Sequence, residues 1–201
     1  MRLLLISALL AAPFAASAET NLLQNGSFED TAQASGTWSI YGSLPGWTAI
    51  PAVELRDNVV GTAKDGSNYV ELDAYANGAL SQSFATVVGS LYSLSFWYSN
   101  RTDTTVATNG LSFDLGSGWI STPTLAANYS GDNQWSQLTY SFVANSALTT
   151  LSFMSSGTSD SYGTSLDAVS VTAVPEPSTY ALMLGGLAAV GYMARRRRQP
   201  L

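Results

Sequence analysis

The sequence predicts an all-β domain, an antiparallel β-sandwich, with an N-terminal signal peptide before it and one C-terminal transmembrane helix after it. Between residues 19 and 173, apolar and polar residues alternate with period two, and the breaks are rich in Gly, Ser, Thr, Asn and Asp. No stretch of that region has a helical period, so strands that bury one face and wet the other are expected. The two ends differ: each carries an unbroken apolar run beside arginine.

At the N-terminus, Arg2 precedes the apolar run 3–14, and Ala16-Ser17-Ala18 is a small-x-small cleavage site. Residues 1–18 read as a secretory signal peptide cut after Ala18. The remainder, 19–173, is the size of one ordinary domain. Its clearest strands are 68–73, 79–86, 91–99, 111–115, 135–144, 149–154 and 166–172. Tyr92, Leu94, Phe96 and Tyr98 place one face of the third in a core, with Ser93, Ser95 and Ser99 on the other, and Leu138, Tyr140 and Phe142 repeat the pattern. Strands of this kind without intervening helices pack as two antiparallel sheets, apolar face to apolar face. Residues 31–44, 101–110 and 117–133 are polar and small and read as loops. Trp47, after Pro45-Gly46, is expected to plug the core beside the first strand.

The chain has no cysteine and no histidine. Thiol chemistry, serine–histidine triads and the usual zinc sites are excluded, and the core must hold without disulfides. Within the domain Arg56, Lys64 and Arg101 face 13 acidic residues, a formal charge of −10. Such a surface repels phosphate backbones, so no nucleic-acid partner is expected; it suits solubility, divalent cations or neutral polymers.

The tail, 174–201, has three parts: Pro175-Glu176-Pro177, an apolar run over 180–194, and Arg195, Arg196, Arg197 and Arg198. As a helix the 15-residue run spans roughly 22 Å, short of a bilayer core of about 30 Å. Extension to about residue 179 and snorkelling arginines close most of the gap. The arginines keep the end cytoplasmic, and the domain lies on the far side of the inner membrane. Proline geometry predicts that 174–178 stays extended and outside the helix. This tripartite tail resembles the PEP-CTERM sorting signal of Gram-negative bacteria. The resemblance implies that an exosortase recognises Pro175, Glu176 and Pro177 and that the processed protein reaches the cell surface or extracellular matrix.

A second resemblance rests on residues 21–29 (Asn-Leu-Leu-Gln-Asn-Gly-Ser-Phe-Glu), Leu44-Pro45-Gly46-Trp47, residues 65–72 (Asp-Gly-Ser-Asn-Tyr-Val-Glu-Leu) and residues 166–171 (Leu-Asp-Ala-Val-Ser-Val). Together they look like the galactose-binding-like jelly rolls, a superfamily with many carbohydrate-binding modules. The resemblance implies a jelly roll whose first and last strands meet at the edge, often with a structural calcium ion there. Counted back from Val171 and Val169, Asp167 has inward parity, and an inward carboxylate needs a partner or a metal. Glu29 is the family-like partner, and the carbonyls of Asn25 and Gly26 could complete an oxygen shell for calcium. The alternative is a wet Asp167 capping a turn.

Aromatic residues on polar faces mark a candidate binding surface. Trp97 shares its face with Ser93, Ser95 and Ser99, while Tyr69, Glu71, Asp73 and Tyr75 form another. Rings can stack on the CH face of a sugar while carboxylates accept its hydroxyls; simple packing is the competing explanation. The expectation is a non-catalytic exported surface protein that binds carbohydrate or exopolysaccharide. A structural surface protein with calcium and no specific ligand is the alternative, and a small glycan hydrolase using carboxylate pairs among Glu29, Asp30, Glu54, Asp57, Glu71 and Asp73 a distant third.

Overall fold

The computed structural model describes residues 20–175 and 177–196. The signal peptide with its cleavage site at Ala18 lies outside the described residues, as do Glu176, Arg197 and Arg198. Ten strands and one helix follow in order: β1 (Trp38–Leu44), β2 (Trp47–Asp57), β3 (Asn68–Glu71), β4 (Ala79–Ala85), β5 (Leu91–Ser99), β6 (Leu111–Asp114), β7 (Ile120–Ser121), β8 (Ser136–Val143), β9 (Leu148–Ser155), β10 (Ser165–Ala173) and α1 (Pro177–Arg196). The seven expected strands are β3 to β6 and β8 to β10.

All strand pairs are antiparallel and form one continuous sheet, β7-β6-β9-β4-β2-β3-β10-β5-β8, with β1 added alongside β2. The sheet curls over on itself as a jelly-roll-like sandwich. Phe96 of β5 meets Phe113 of β6 at 5.6 Å between ring centroids and Phe153 of β9 at 4.9 Å, while Phe113 meets Tyr140 of β8 at 5.3 Å. Five strands separate β5 from β6 along the sheet, so these contacts exist only because the two halves face each other. Trp47 plugs this core, with its ring 5.7 Å from Phe28 and its indole N–H donated to the Asn25 carbonyl at 3.0 Å.

Three strands fall where loops or nothing had been expected. β1 and β7 lie in stretches read as loops, and β2 was not recognised. β1 leaves most of its side chains partly exposed, so it carries no apolar alternation. β2 contains Pro51, which ordinarily argues against a central strand. Here Pro51 falls between the stretch that pairs with β4 (Thr48 to Ile50) and the stretch that pairs with β3 (Glu54 to Asp57), so it interrupts no ladder bond. The tail also differs from expectation: α1 starts at Pro177, so Pro177 and Ser178 are helical rather than extended. Proline is well suited to a first helical position, where its missing N–H would have no partner anyway. Among the described residues no helix is long and apolar enough to cross a membrane.

The opening motif meets the closing strand, though not at an edge, because β10 lies between β3 and β5. Leu22 N–H donates to the Val171 carbonyl at 2.8 Å and Val169 N–H to the Gly26 carbonyl at 2.9 Å. The Asn21 carboxamide completes the seam, accepting from Val171 N–H and donating to the Val169 carbonyl. Only glycine fits at position 26, since any Cβ there would overlap the Val169 carbonyl oxygen.

Candidate functional site

On the face of β2 and β3 turned away from the core, Glu54 and Arg56 stand beside Glu71 and Tyr69, with Glu54 directly opposite Glu71 and Arg56 opposite Tyr69. Two carboxylates facing each other across a ladder repel. Arg56 lies between them, bonded through Nη2 to Glu54 and 3.3 Å from Glu71. Arg101, just past the end of β5, brings Nη1 within 3.0 and 2.7 Å of the two Glu71 oxygens, and Gly163 N–H donates to Glu71 at 3.1 Å. Glu54, Arg56 and Glu71 are 4%, 2% and 1% exposed. Burial pushes the Glu71 carboxyl up to about 7, against the pull of both arginines.

This cluster floors a cleft of about 370 Å³ whose walls include Trp38, Ile40, Val60, Tyr75, Ser161 and Tyr162. Trp38, Tyr75 and Tyr162 are 49%, 68% and 46% exposed, with the Arg101 guanidinium 4.5 Å from the Tyr162 ring and that of Arg56 6.0 Å from the Trp38 ring. Arg56 Nε and Nη1 are buried and have no hydrogen-bond partner among the described residues. A buried guanidinium ordinarily satisfies its donors, so these three N–H groups, buried beneath the cleft, are unused donor capacity at its floor. Two other cavities, about 250 and 400 Å³, share Asn100 and Leu125 and are lined by amides, hydroxyls and small or aliphatic side chains without an acidic or basic one.

The residues singled out from sequence separate on this frame. Tyr75 lines the cleft and Glu71 lies beneath it. Asp73, fully buried, holds the cleft wall by accepting Asp160 N–H at 3.1 Å, and desolvation raises its pKa. Tyr69 is 1% exposed, edge-on to Trp135, with its hydroxyl donated to the Val59 carbonyl at 2.6 Å. Trp97 is half-buried under Lys64, whose ammonium sits 3.8 Å from the ring centroid. Sequence reasoning did not place Trp38, Arg56, Arg101 or Tyr162 in a site. The signal available for the arginines was their rarity: two of the domain's three basic residues converge here.

Asp167 is fully buried, as expected, but its parity is the reverse of that expected. Leu166 and Val169 both enter the core, which strict alternation forbids. Ala168 adopts φ +48 in a β-bulge between Asp167 and Ser170, and Asp167 therefore pairs with Trp97 on the opposite face. There the 64–65 backbone covers it: Oδ2 accepts Lys64 N–H at 2.7 Å and Asp65 N–H at 3.0 Å, and Oδ1 accepts Ala168 N–H. Desolvation outweighs these bonds and pushes its carboxyl up to about 7.

Glu29 grips the same loop from the other side, accepting Ser67 N–H at 2.8 Å and Asn68 N–H at 2.6 Å. The Asn25 carbonyl accepts Trp47 Nε1 and Phe28 N–H, and the Gly26 carbonyl accepts Val169 N–H. With both lone pairs of Asn25 occupied and both carboxylates turned to N–H donors, Glu29, Asp167, Asn25 and Gly26 do not fit a calcium shell as arranged. Among the described residues no three acidic side chains stand close enough to hold a metal.

The chain belongs to the DUF642 family, described as a protein of unknown function, whose model matches residues 21–172. It also carries a PEP-CTERM protein-sorting motif, matched over residues 173–198, a signal of export. No curated protein matches the chain. Similar solved structures include TmCBM61 in complex with β-1,4-galactotriose (16% identity, 77% of this chain and 99% of that one, TM-score 0.44). Others are the CBM22-1 xylan-binding domain from Paenibacillus barcinonensis Xyn10C (16% identity, 81% and 99%, TM-score 0.46) and a family 35 carbohydrate-binding module from Clostridium thermocellum (16% identity, 67% and 97%, TM-score 0.46).

Proposed function

We propose that this is an exported surface protein that binds a neutral glycan, without catalysis, in the cleft between Trp38, Tyr75 and Tyr162. The observation that carries this reading is the pairing of exposed rings with a buried floor in which three Arg56 N–H groups, on Nε and Nη1, have no partner among the described residues. Rings cover the apolar face of a pyranose, and fixed donors and acceptors at the floor take its hydroxyls. Glu54 and Glu71 balance Arg56 and Arg101, so the floor has no net charge when all four are ionised. A neutral sugar suits that floor, and a polyuronate would also meet the strongly acidic surface of the domain. Both floor carboxylates are tied to arginine, which argues against either serving as a glycosidase acid or nucleophile.

The tail fits delivery to the envelope. In this reading α1 and its arginines hold the protein at the inner membrane until an exosortase acts at Pro175-Glu176-Pro177, after which the domain reaches the cell surface or matrix. The described apolar residues of α1, among them Met183, Leu184, Leu187 and Val190, are exposed, as expected of a segment that packs on lipid rather than on its own domain.

Retention on immobilised neutral polysaccharides (galactan, xylan, β-glucan) beside polygalacturonate tests the binding reading, using the full chain and the Trp38→Ala and Tyr162→Ala variants. Retention on a neutral polymer that both substitutions weaken at least about tenfold, roughly 1.4 kcal/mol, is expected. Retention on none of them, or retention indifferent to both rings, refutes the cleft as a glycan site.

A further inference from the structure

At the end of the sandwich opposite the cleft, five aliphatic side chains are exposed: Val87, Val88, Val143 and Leu148 each by at least 60%, and Leu91 by 39%. Val87 and Val88 lie in the β4–β5 turn, Leu91 at the start of β5, and Val143 and Leu148 at the strand ends that flank the β8–β9 turn, and the two turns are laced together. Thr86 N–H donates to the Ala147 carbonyl, Gly89 N–H to Ala144 and Ala144 N–H to Ser90, while Leu91 and Val143 are direct cross-strand partners. The stretches that carry these residues, 74–100, 133–159 and 168–175, contain no Asp, Glu, Lys or Arg over their whole length, which reaches from this end to Tyr75 in the cleft. For a domain of charge −10 that is a marked vacancy of charge. Exposed apolar patches of this kind mark places where something docks.

The chain itself indicates what docks. β10 ends at Ala173 opposite Tyr92, and Val174 N–H donates to the Leu91 carbonyl at 2.9 Å, within the patch. Only Val174, Pro175 and Glu176 then separate β10 from the apolar helix α1. From Ala173 to Pro177 such a connection reaches at most about 14 Å. If α1 inserts into a membrane, this end of the sandwich lies within reach of it.

We propose that the Val87, Val88, Leu91, Val143 and Leu148 surface rests on the anionic phospholipid surface of the membrane that holds the tail. The proposal rests on the anchoring reading of that tail. Aliphatic side chains at this level enter the boundary between headgroups and acyl chains, and an uncharged face avoids the repulsion that the acidic rest of the domain would meet there. β10 runs from Ser165, beside the cleft loop, to Ala173 at the patch, roughly 26 Å at about 3.3 Å per residue. Docking by this end therefore points the Trp38, Tyr75 and Tyr162 cleft away from the lipid, open to extracellular polymer.

The chain lacks cysteine, so single thiols can be introduced without background. The full chain carrying Val88→Cys, Tyr129→Cys or Gly186→Cys is labelled with an environment-sensitive dye and reconstituted into phosphatidylethanolamine–phosphatidylglycerol vesicles containing nitroxide lipids. The expected result is quenching at 186 and, about twofold or more, at 88, with 129 at the opposite end unquenched; residues at the interface lie roughly 5–10 Å deep. Quenching at 186 with 88 as wet as 129 overturns the docking face and leaves the anchor standing. No quenching at 186 overturns the anchoring reading, and the docking proposal with it. A label at 88 shielded without lipid quenching, and only at high protein density, assigns the face to a second copy and also overturns the lipid proposal.

Discussion

At the residue scale, the chemistry of this protein lies in buried carboxylates, of which Glu71 and Asp167 are held by arginine or backbone N–H groups while Asp73 keeps one oxygen, Oδ1, without a partner among the described residues. In its ionised form Asp167 offers only acceptors to three backbone N–H groups, a match that an amide cannot reproduce because one of its edges donates. Asp167→Asn should therefore lose about 1–3 kcal/mol in denaturant unfolding, as expected for buried groups left unmatched. Glu71 and Asp167 both titrate at about 7 when folded, well above ordinary carboxyl values near 4. In that interval the folded chain holds protons that the unfolded chain releases. Their contribution is complete below about pH 4 and disappears as pH rises through about 7. The melting temperature should fall between pH 5 and pH 8, and Glu71→Gln should flatten that slope; a melting temperature that rises across the interval contradicts the assignment. Arg56 works in the other direction. Arg56→Met strips Glu54 and Glu71 of their shared cation and should destabilise by about 3–5 kcal/mol, read from the urea midpoint at unchanged m-value.

At the element scale, β10 shows what alternation conveys and what it conceals. Its apolar residues announce a strand, but a single residue in the left-handed region, Ala168, moves Asp167 to the other face, and nothing in an alanine advertises that conformation. Ala168→Gly should keep the bulge and relieve its Cβ, raising stability by up to about 1 kcal/mol in thermal or chemical unfolding. The opposite change at the seam, Gly26→Ala, should unlock the opening motif from β10, with early hydrogen exchange at Leu22 and Val169. The other strands divide by the same logic. β5 was legible because Tyr92, Leu94, Phe96 and Tyr98 all enter the core, and β9 because Leu151 and Phe153 do. β1 and β7 are short or half-wet and write no period, and β2 carries a proline that happens to sit between two pairing partners.

At the scale of the whole molecule, the fold class and the sorting tail were readable from one chain, while the cleft was only half readable. Tyr75 and Glu71 were legible because an aromatic and an acid on a polar face are locally conspicuous. Trp38, Arg56, Arg101 and Tyr162 come from β1, β2, the end of β5 and the loop before β10, and only sheet order and register bring them together. Trp97 looked equally conspicuous, yet Lys64 from the loop over β10 occupies its ring. The resulting molecule is polar in organisation as well as in charge: exposed aliphatic side chains where β10 ends, and at the other end a ring-walled cleft over the buried Arg56 guanidinium.

Glycan binding by this protein rests on that cleft. The most direct measurement is a calorimetric titration of the full chain with the neutral oligosaccharide of the best-retained polymer, run beside Trp38→Ala and Trp97→Ala. Binding that Trp38→Ala weakens about tenfold or more and Trp97→Ala leaves within about twofold is the predicted result. Binding abolished at Trp97 and untouched at Trp38, or no heat with any neutral oligosaccharide, would contradict it.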